Sequence, residues 1–308
     1  MERAMSKIRY PAEWEKQAAT WLALPVDEQN WAPRRERIDV FYSKLMDTIS
    51  RFQPVKILDD LQIPHNDIWI RDYGPFFVKC GGELNAVSYE FNAWGEKFPP
   101  WDLDNSVPEK IAELINIPLR EFPWVLEGGA MEFNGDGLCL TTAPCLFGKK
   151  RNSAEQKREL LEDLQNSLGI KSLKILPKGL DGDHTDGHID NIVRFVAKNH
   201  IVMATGFELE KKEIETWLGE YYEEAKIDVL PLPLSRPASY LNFIFLNGGL
   251  LVPVYNCESD SLALEYFKNI FPDREIIGMD CTVPIEEGGS LHCLSKQEPL
   301  WKIHTTIT

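Results

Sequence analysis

The chain has 308 residues, of which 44% are hydrophobic and 26% are charged, a composition typical of a folded globular protein rather than a disordered one. Its 48 acidic and 33 basic side chains give a net charge of −15, which repels nucleic acids and anionic membranes and attracts small cations. We therefore expect a small cationic substrate, with neither nucleic acid nor membrane as a partner.

The sequence also predicts a cytoplasmic location. The N-terminal residues lack the apolar core of a secretory leader, and no run reaches the roughly 18 apolar residues that span a bilayer. Six cysteines are scattered along the chain without a Cys-x-x-Cys pair, which is atypical of a zinc ribbon or a thioredoxin-like site. In a reducing compartment they are expected to be reduced thiols.

A first amphipathic helix is predicted over residues 38–52, where apolar residues recur every three or four positions. A short strand at residues 55–58 follows it. Two capping boxes, in which a serine stands three positions before a glutamate or glutamine, predict later helix starts at Ser106 and Ser153. Gly169 is expected to end the helix that begins near Ser153, because glycine adopts the C-cap conformation without strain.

Five helix-then-strand segments recur along the chain, and their helices end near residues 52, 115, 168, 222 and 270. These ends are about 48 to 63 residues apart, a spacing typical of a closed or stacked repeat array. Further strands fill each interval, so each unit combines several strands with one helix. The pattern predicts an α/β fold built from five units.

Candidate polar residues occupy similar positions in the five units. Asp72, His188 and Asn242 each lie about 20 residues after the preceding helix end. Glu127 lies about 12 residues after its helix, and Cys293 lies about 23 residues after its own. If the units close into a ring, these positions converge near one axis.

Residues 183–191 (DHTDGHIDN) place many polar side chains directly before an apolar run that is predicted to be a buried strand. His188 and Asp190 are two positions apart, so on an extended segment they face the same side. The pair could be a general acid/base with its electrostatic partner, two of several metal ligands, or only the capped start of a strand.

Residues 66–75 (NDIWIRDYGP) are predicted to form a strand that turns at the Gly-Pro pair. Arg71 either pairs with a carboxylate to brace this turn or belongs to a functional site with Asp72. Residues 127–129 (EGG) follow another apolar strand, where Glu127 could orient a histidine.

Residues 286–293 (EEGGSLHC) repeat the acid-glycine-glycine pattern and end in a thiol. Backbone amides at the glycines can polarise a substrate, and the adjacent loop is expected to lower the thiol pKa. Cys293 is therefore the candidate nucleophile, and the other five cysteines are expected to be buried and inert.

Together these motifs resemble those of the agmatine deiminase family, as do residues 11–25, 91–95 (FNAWG) and 237–243 (PASYLNF). The resemblance covers nearly the whole chain. It implies a member of the guanidino-group-modifying superfamily, with the pentein fold, a fivefold pseudosymmetric α/β propeller of ββαβ-type units. It also implies a single catalytic domain over residues 1–308.

The resemblance implies a role for each candidate. Cys293 would be the nucleophile, His188 the acid/base and Glu127 its orienting partner. Asp72 and Asp190 would grip the guanidinium and complete the catalytic set. The substrate-binding residues would be Trp69, Asp72, Asp190, Asn242 and Gly289.

The implied reaction is hydrolysis of agmatine to N-carbamoylputrescine and ammonia through an amidino-cysteine, with no metal or organic cofactor. Another guanidine, such as arginine or peptidyl-arginine, is an alternative substrate. Two other protein classes stay open. One is a zinc hydrolase with His184, His188 and Asp190 as ligands and Glu127 as base. The other is a non-catalytic binder of cations. A homo-oligomer is compatible with the sequence, which does not define the oligomeric state.

Overall fold

Five small β-sheets form the framework of the residues described by the computed structural model, 8–233 and 237–301. The strands of these residues are β1 (Ile8–Arg9), β2 (Gln17–Leu22), β3 (Val55–Ile57), β4 (Phe76–Cys80), β5 (Glu83–Glu90), β6 (Leu119–Val125), β7 (Glu132–Phe133), β8 (Leu138–Thr142), β9 (Ser172–Leu176), β10 (Val193–Ala197), β11 (His200–Ala204), β12 (Lys226–Leu230), β13 (Ile244–Leu246), β14 (Gly249–Val254), β15 (Glu275–Asp280) and β16 (Ser295–Pro299).

Long helices alternate with short helical turns along the chain. The α-helical segments of the described residues are α1 (Glu28–Trp31), α2 (Arg35–Ser50), α3 (Ile70–Tyr73), α4 (Ala93–Glu96), α5 (Asp102–Leu114), α6 (Ala143–Phe147), α7 (Lys157–Leu168), α8 (Glu208–Gly219) and α9 (Ser259–Ile270). Turns of 3-10 helix lie at Ala32–Arg34, Gly128–Ala130, Ala154–Gln156, Ile189–Asn191 and Pro284–Glu287. None of the described helices is long and apolar enough to cross a membrane.

Each sheet contains the same three-stranded topology, and β1 is an additional edge strand in one of them. The strand orders are β1-β4-β5-β6, β7-β8-β9, β10-β11-β12, β13-β14-β15 and β16-β2-β3. In every sheet an antiparallel pair is followed by a strand that runs parallel to its neighbour. A parallel neighbour requires a crossover, which a long helix supplies in each unit. The predicted helix-then-strand repeat is therefore confirmed for the described residues.

The last strand completes the sheet of the first unit. β16 pairs antiparallel with β2, with Ser295 opposite Leu22 and Lys296 opposite Trp21. Because β16 begins two residues after Cys293, this pairing anchors the candidate nucleophile loop to the N-terminal part of the chain.

Each long helix buries one apolar stripe, as the sequence period predicts. In α2, Ile38, Leu45 and Ile49 are fully buried. Burial of an aliphatic side chain of this size contributes about 1.5–3 kcal/mol relative to exposure. Gly169 ends α7 in the left-handed conformation, which confirms the predicted C-cap.

The predicted helix start at Ser106 is wrong. The helix α5 begins four residues earlier, and the Ser106 hydroxyl donates to the carbonyl of Leu103 at 2.7 Å instead of capping the helix. The cap comes from a distant segment, because Asn66 Oδ1 accepts from the backbone N–H groups of Leu103 and Asp104 at 2.8 and 3.2 Å. A capping residue that lies 37 and 38 positions from the two N–H groups it binds leaves no signal at the helix start itself.

Candidate active site

A cavity of about 90 Å³ brings four of the predicted site residues together, Trp69, Asp72, Gly289 and Cys293. An ideal Cβ built on Gly289 would lie 2.2 Å from Trp69 Cζ3, so the indole packs directly on the glycine backbone. Only glycine at position 289 leaves space for this ring.

Cys293 is 5% exposed and is held by Asn242. The Asn242 side chain donates to Cys293 Sγ at 3.3 Å, and its Oδ1 accepts from the backbone N–H groups of His292 and Cys293 at 3.0 and 3.3 Å. The Arg71 guanidinium donates to the His292 carbonyl at 2.9 Å and to Gln297 Oε1 at 2.5 Å. Arg71 therefore supports the nucleophile loop rather than pairing with a carboxylate.

The expectation of a lowered thiol pKa is wrong. Burial raises the pKa of Cys293 well above its usual range, and the negative charges of Asp190 and Asp72 raise it further. The loop does oppose this effect through the backbone of Ser290, but the two carboxylates outweigh it. A cation bound between the carboxylates would remove much of the opposition to a thiolate.

Asp72 does not lie on a strand, because residues 70–73 form the short helix α3. The Asp72 N–H donates to the Trp69 carbonyl at 3.0 Å, which closes a helical turn. Asp72 Oδ1 accepts from Gly129 N at 2.8 Å, and its Oδ2 accepts from Trp94 Nε1 at 3.0 Å. These two donors fix the plane of the carboxylate.

His188 and Asp190 also depart from the predicted extended conformation. They lie in a turn, because Asp183 Oδ2 accepts from the His188 N–H and from Asn191 Nδ2, each at 3.1 Å. Side chains that bond nearby backbone groups favour turns over strands. The regular strand β10 begins only at Val193.

The turn still directs His188 and Asp190 into one small space. An ideal Cβ on Gly129 would lie 2.6 Å from His188 Nδ1, 2.9 Å from Asp72 Oδ1 and 3.0 Å from Asp190 Oδ2. Any side chain at position 129 would collide with all three groups. The glycine at position 129 is thus required by the close approach of a histidine and two carboxylates.

His188 is fully buried, and neither of its ring nitrogens has a hydrogen-bond partner within the described residues. Asp190 Oδ1 is likewise buried without a partner. Burial lowers the pKa of His188, but Asp72, Asp190 and Glu127 outweigh it and raise the pKa above the ordinary value. Buried polar atoms without partners are rare, so these atoms mark the place where a polar ligand would bind.

Glu127 makes no hydrogen bond to His188. It is fully buried and accepts from Arg151 Nε at 3.0 and 3.3 Å. Arg151 also donates to Asp186 Oδ2 at 2.8 Å and to the Thr185 carbonyl at 2.9 Å. Arg151 therefore ties Glu127 to the segment that precedes His188, a link that the sequence analysis missed.

His292 and Trp94 are two further residues that the sequence analysis did not assign to the site. His292 Nδ1 lies 2.7 Å from Asp190 Oδ2, and Trp94 donates to Asp72. Both residues stand inside motifs that were identified, His292 directly before Cys293. Their position within those motifs is the signal that could have indicated a role.

The residue set of the zinc alternative does not come together. Within residues 8–233 and 237–301, no three histidine, cysteine, aspartate or glutamate side chains are arranged as a metal-binding group. His184 lines the cavity beside Gly288, whereas His188 lies beside Gly129. The geometry gives this alternative no support.

The buried Asp104 carboxyl group, which binds the segment that carries the site, should make the stability of the protein depend on pH. It accepts from the backbone N–H groups of Asn66 and Asp67 at 2.6 and 3.2 Å, and burial raises its pKa to about 8. Between about pH 4 and 8 the folded state therefore keeps a proton that the unfolded state has lost, so stability falls as pH rises. We expect Asp104→Asn, which keeps the acceptor oxygen but cannot ionise, to lose less stability over this range.

Thermal unfolding of both proteins at pH 5, 6.5 and 8 measures this difference. Buried carboxylates that do not interact with Asp104, such as Glu132, with a pKa of about 7, contribute equally to both proteins. Their common contribution cancels when the two pH slopes are subtracted. Equal slopes would contradict the assignment of a raised pKa to Asp104.

Comparisons with known proteins give the family. The family model described as Porphyromonas-type peptidyl-arginine deiminase matches residues 9–299. An agmatine deiminase of Pseudomonas aeruginosa is 28% identical, with 95% of each protein covered. A solved structure of C. jejuni agmatine deiminase with substrate bound is 30% identical, covers 96% of this chain and 97% of that one, and superposes with a TM-score of 0.86.

A more distant solved structure shares the fold alone. It is a dimethylarginine dimethylaminohydrolase that is 15% identical, with a TM-score of 0.57 over 91% of this chain. The mixed α/β architecture of small sheets is thus similar to those of agmatine deiminase and of this more distant enzyme. The chain belongs to the Porphyromonas-type peptidyl-arginine deiminase family, together with the agmatine deiminases that it resembles along nearly its whole length.

Proposed function

We propose that this protein hydrolyses the guanidinium group of agmatine to N-carbamoylputrescine and ammonia, with Cys293 as nucleophile. The observation that carries the proposal is the grouping of one thiol, one histidine and two carboxylates around buried polar atoms that lack protein partners. A planar cation that donates hydrogen bonds would satisfy Asp190 Oδ1 and offset the charges of both carboxylates.

The charge of the cavity favours agmatine over free arginine. Its lining includes the carboxyl groups of Asp67, Asp72 and Glu287, and no lysine or arginine occurs among the described residues that line it. The α-carboxylate of arginine would therefore lose water without gaining a cationic partner. The primary amine of agmatine would instead meet Asp67, whose pKa is raised to about 6 by burial and by the nearby carboxylates of Asp27 and Glu287.

The proposed reaction begins when the guanidinium binds between Asp72 and Asp190. A guanidinium is resonance-stabilised and a poor electrophile, so its central carbon has to be held in line with Cys293 Sγ. The bound cation offsets the two carboxylates that raise the thiol pKa, and the thiol loses its proton to solvent. The thiolate attacks the carbon and forms a tetrahedral adduct.

His188 then donates a proton to the departing nitrogen, which leaves as ammonia, and an amidino-cysteine remains. The raised pKa of His188 favours the protonated form that this step requires. His188 next removes a proton from water, whose oxygen displaces the sulfur and yields the ureido product. Cys293 accepts a proton as it leaves. The named residues and water account for every proton in this sequence, without a further cofactor.

We also infer that the five units surround one axis as a fivefold propeller and that residues 1–308 form one domain. The repeated topology supports this arrangement, as does the pairing of β16 with β2, which joins the last unit to the first. In such a ring Asp72, Glu127, His188, Asn242 and Cys293 would be contributed by five successive units.

Ammonia release tests the proposal when agmatine, arginine and an arginine-containing peptide are assayed in parallel. We expect turnover of agmatine that survives a chelator, and a kcat/KM at least roughly 100-fold higher than that for arginine, because an unpaired buried charge costs a few kcal/mol. Higher kcat/KM with the peptide would transfer the activity to peptidyl-arginine. No release from any of the three substrates would overturn deimination.

A further inference from the structure

We propose that His292 is a positioning residue that holds Asp190 in place by donating a hydrogen bond from Nδ1 to Asp190 Oδ2, with Glu13 at the other ring nitrogen. The proposal rests on the proposed function, because Asp190 matters only if it grips a guanidinium. Nothing in the sequence motif assigns a role to the histidine that precedes the nucleophile. Its two ring nitrogens face two different carboxylates, and this geometry carries the argument.

The bridge consists of two short contacts in the protein interior. His292 Nδ1 lies 2.7 Å from Asp190 Oδ2, and His292 Nε2 lies 2.9 Å from Glu13 Oε2. His292 is 2% exposed and Asp190 is fully buried, so water does not compete for these bonds. A carboxylate hydrogen bond in such a setting is worth more than at the surface.

The bridge divides the two oxygens of Asp190 between two tasks. Oδ2 is bound to His292, whereas Oδ1 is buried without any partner among the described residues. A carboxylate fixed at one oxygen can rotate little, so the direction of its other oxygen is set before a ligand arrives. In Asp72, by contrast, both oxygens accept hydrogen bonds from the protein, so of these two carboxylates it is Asp190 that keeps an oxygen without a partner among the described residues.

The far end of the bridge is anchored by a buried arginine. Arg194 donates to Glu13 Oε2 at 2.8 Å and to Glu132 Oε2 at 3.0 Å, and its guanidinium carbon lies 4.3 Å from the ring centroid of Phe243. Burial raises the pKa of Glu13, but Arg194 and His292 outweigh burial and hold the pKa far below its ordinary value. Glu13 therefore stays ionised and provides a fixed acceptor beside His292 Nε2.

Both contacts are hydrogen bonds only when both ring nitrogens bear protons. Burial and the charges of Arg194 and Arg71 lower the pKa of His292, while Glu13 and Asp190 oppose them. The role assigned to His292 requires only the bond to Asp190. Two amide substitutions test the two bonds separately. The asparagine amide takes the place of Nδ1 and can keep the bond to Asp190, whereas the glutamine amide takes the place of Nε2 and can keep only the bond to Glu13.

The experiment compares His292→Asn with His292→Gln. Agmatine affinity is measured by calorimetry in the Cys293→Ala background, and kcat and KM are measured with Cys293 present. We expect the glutamine variant to bind agmatine at least roughly tenfold more weakly, because one charge-assisted hydrogen bond is worth about 1.5–3 kcal/mol. The asparagine variant, which still donates to Asp190, should stay within roughly threefold of the parent.

A purely structural histidine would not distinguish the two amides. Equal affinity of both variants, whether weakened or unchanged, would overturn the proposal. The substitution Glu13→Gln is the second probe if a His292 variant does not fold. It leaves the Asp190 contact in place, so agmatine affinity should stay within roughly threefold of the parent. A loss of roughly tenfold or more in a folded Glu13→Gln protein would move the positioning role to Glu13 and overturn the proposal.

Assays of the wild-type protein distinguish failure of the proposed function from failure of the role proposed for His292. If wild-type protein neither binds nor deiminates agmatine, the proposed function and the role of His292 fall together. If wild type turns over agmatine and the asparagine and glutamine variants behave alike, only the role of His292 is overturned. Adding His292→Gln to an Asp190→Asn protein should have little further effect on affinity, since the two residues act as one unit.

Discussion

Cys293→Ala is expected to lower the rate of ammonia release from agmatine by at least about 10⁴-fold, the loss seen when a catalytic nucleophile is removed. Among the described residues that line the cavity, Cys293 supplies the strongest nucleophile, a sulfur that can form a covalent bond to the guanidinium carbon and later leave it. Agmatine should still bind to the variant, because Asp72 and Asp190 are unchanged.

Cys281→Ala provides the matched control for this substitution. Cys281 is fully buried, its pKa is raised to about 12 by burial, and it does not line the cavity. Its variant should keep turnover within about twofold of wild type. Mass spectrometry of the wild-type protein during turnover should find the amidino group on the peptide that contains Cys293. Ammonia release that persists without Cys293 would overturn covalent catalysis.

The charges near Cys293 explain why the order of binding and ionisation matters in the proposed mechanism. Burial and the carboxylates of Asp190 and Asp72 raise the pKa of the thiol and so favour its protonated form. If these carboxylates bind the guanidinium as proposed, the same pair of charges supplies affinity for the substrate and suppresses the thiolate until the substrate binds. A neutral alkylating reagent should react slowly with Cys293 for this reason, since the thiolate is the nucleophile.

The regular elements were predictable because their periods are local. Apolar spacing located α2, the signals at Ser153 and Gly169 located α7, and the predicted strand at residues 55–58 overlaps β3. The same local logic failed at Ser106, where the side chain that caps α5 comes from Asn66. A tertiary contact of this kind depends on the whole fold, so the sequence near a helix start cannot reveal it.

The sequence predicted which residues lie at the candidate site better than it predicted the hydrogen bonds between them. Motif order identified Asp72, His188 and Cys293, and the structure brings the first two within 3.7 Å. The extended conformations predicted for Asp72 and His188 are wrong. A hydrogen bond within a helical turn holds Asp72, and a hydrogen bond to the Asp183 side chain holds His188 in a turn. Partner choice was also missed: Glu127 bonds Arg151 rather than His188.

Arg151→Ala is expected to lower the free energy of unfolding by about 3–5 kcal/mol, because it leaves the buried Glu127 carboxylate without its partner. Both side chains of this ion pair are fully buried, and Arg151 Nε to Glu127 Oε1 is 3.0 Å. Urea denaturation measures the loss as a lower transition midpoint with an unchanged slope. Lys150→Ala is the matched neighbour, since its pair with Glu96 is about half exposed and should contribute less than about 1 kcal/mol.

A double variant shows whether the lost stability comes from an unpaired buried charge or from lost packing. Adding Glu127→Gln to Arg151→Ala removes the stranded charge, so the double variant should be more stable than Arg151→Ala alone. If the double variant is no more stable, the cost lies in the volume and hydrogen bonds of Arg151 instead. If Arg151→Ala costs no more than Lys150→Ala, then Glu127 does not depend on Arg151. In that case Glu127 would be free to turn towards His188, as the sequence analysis predicted.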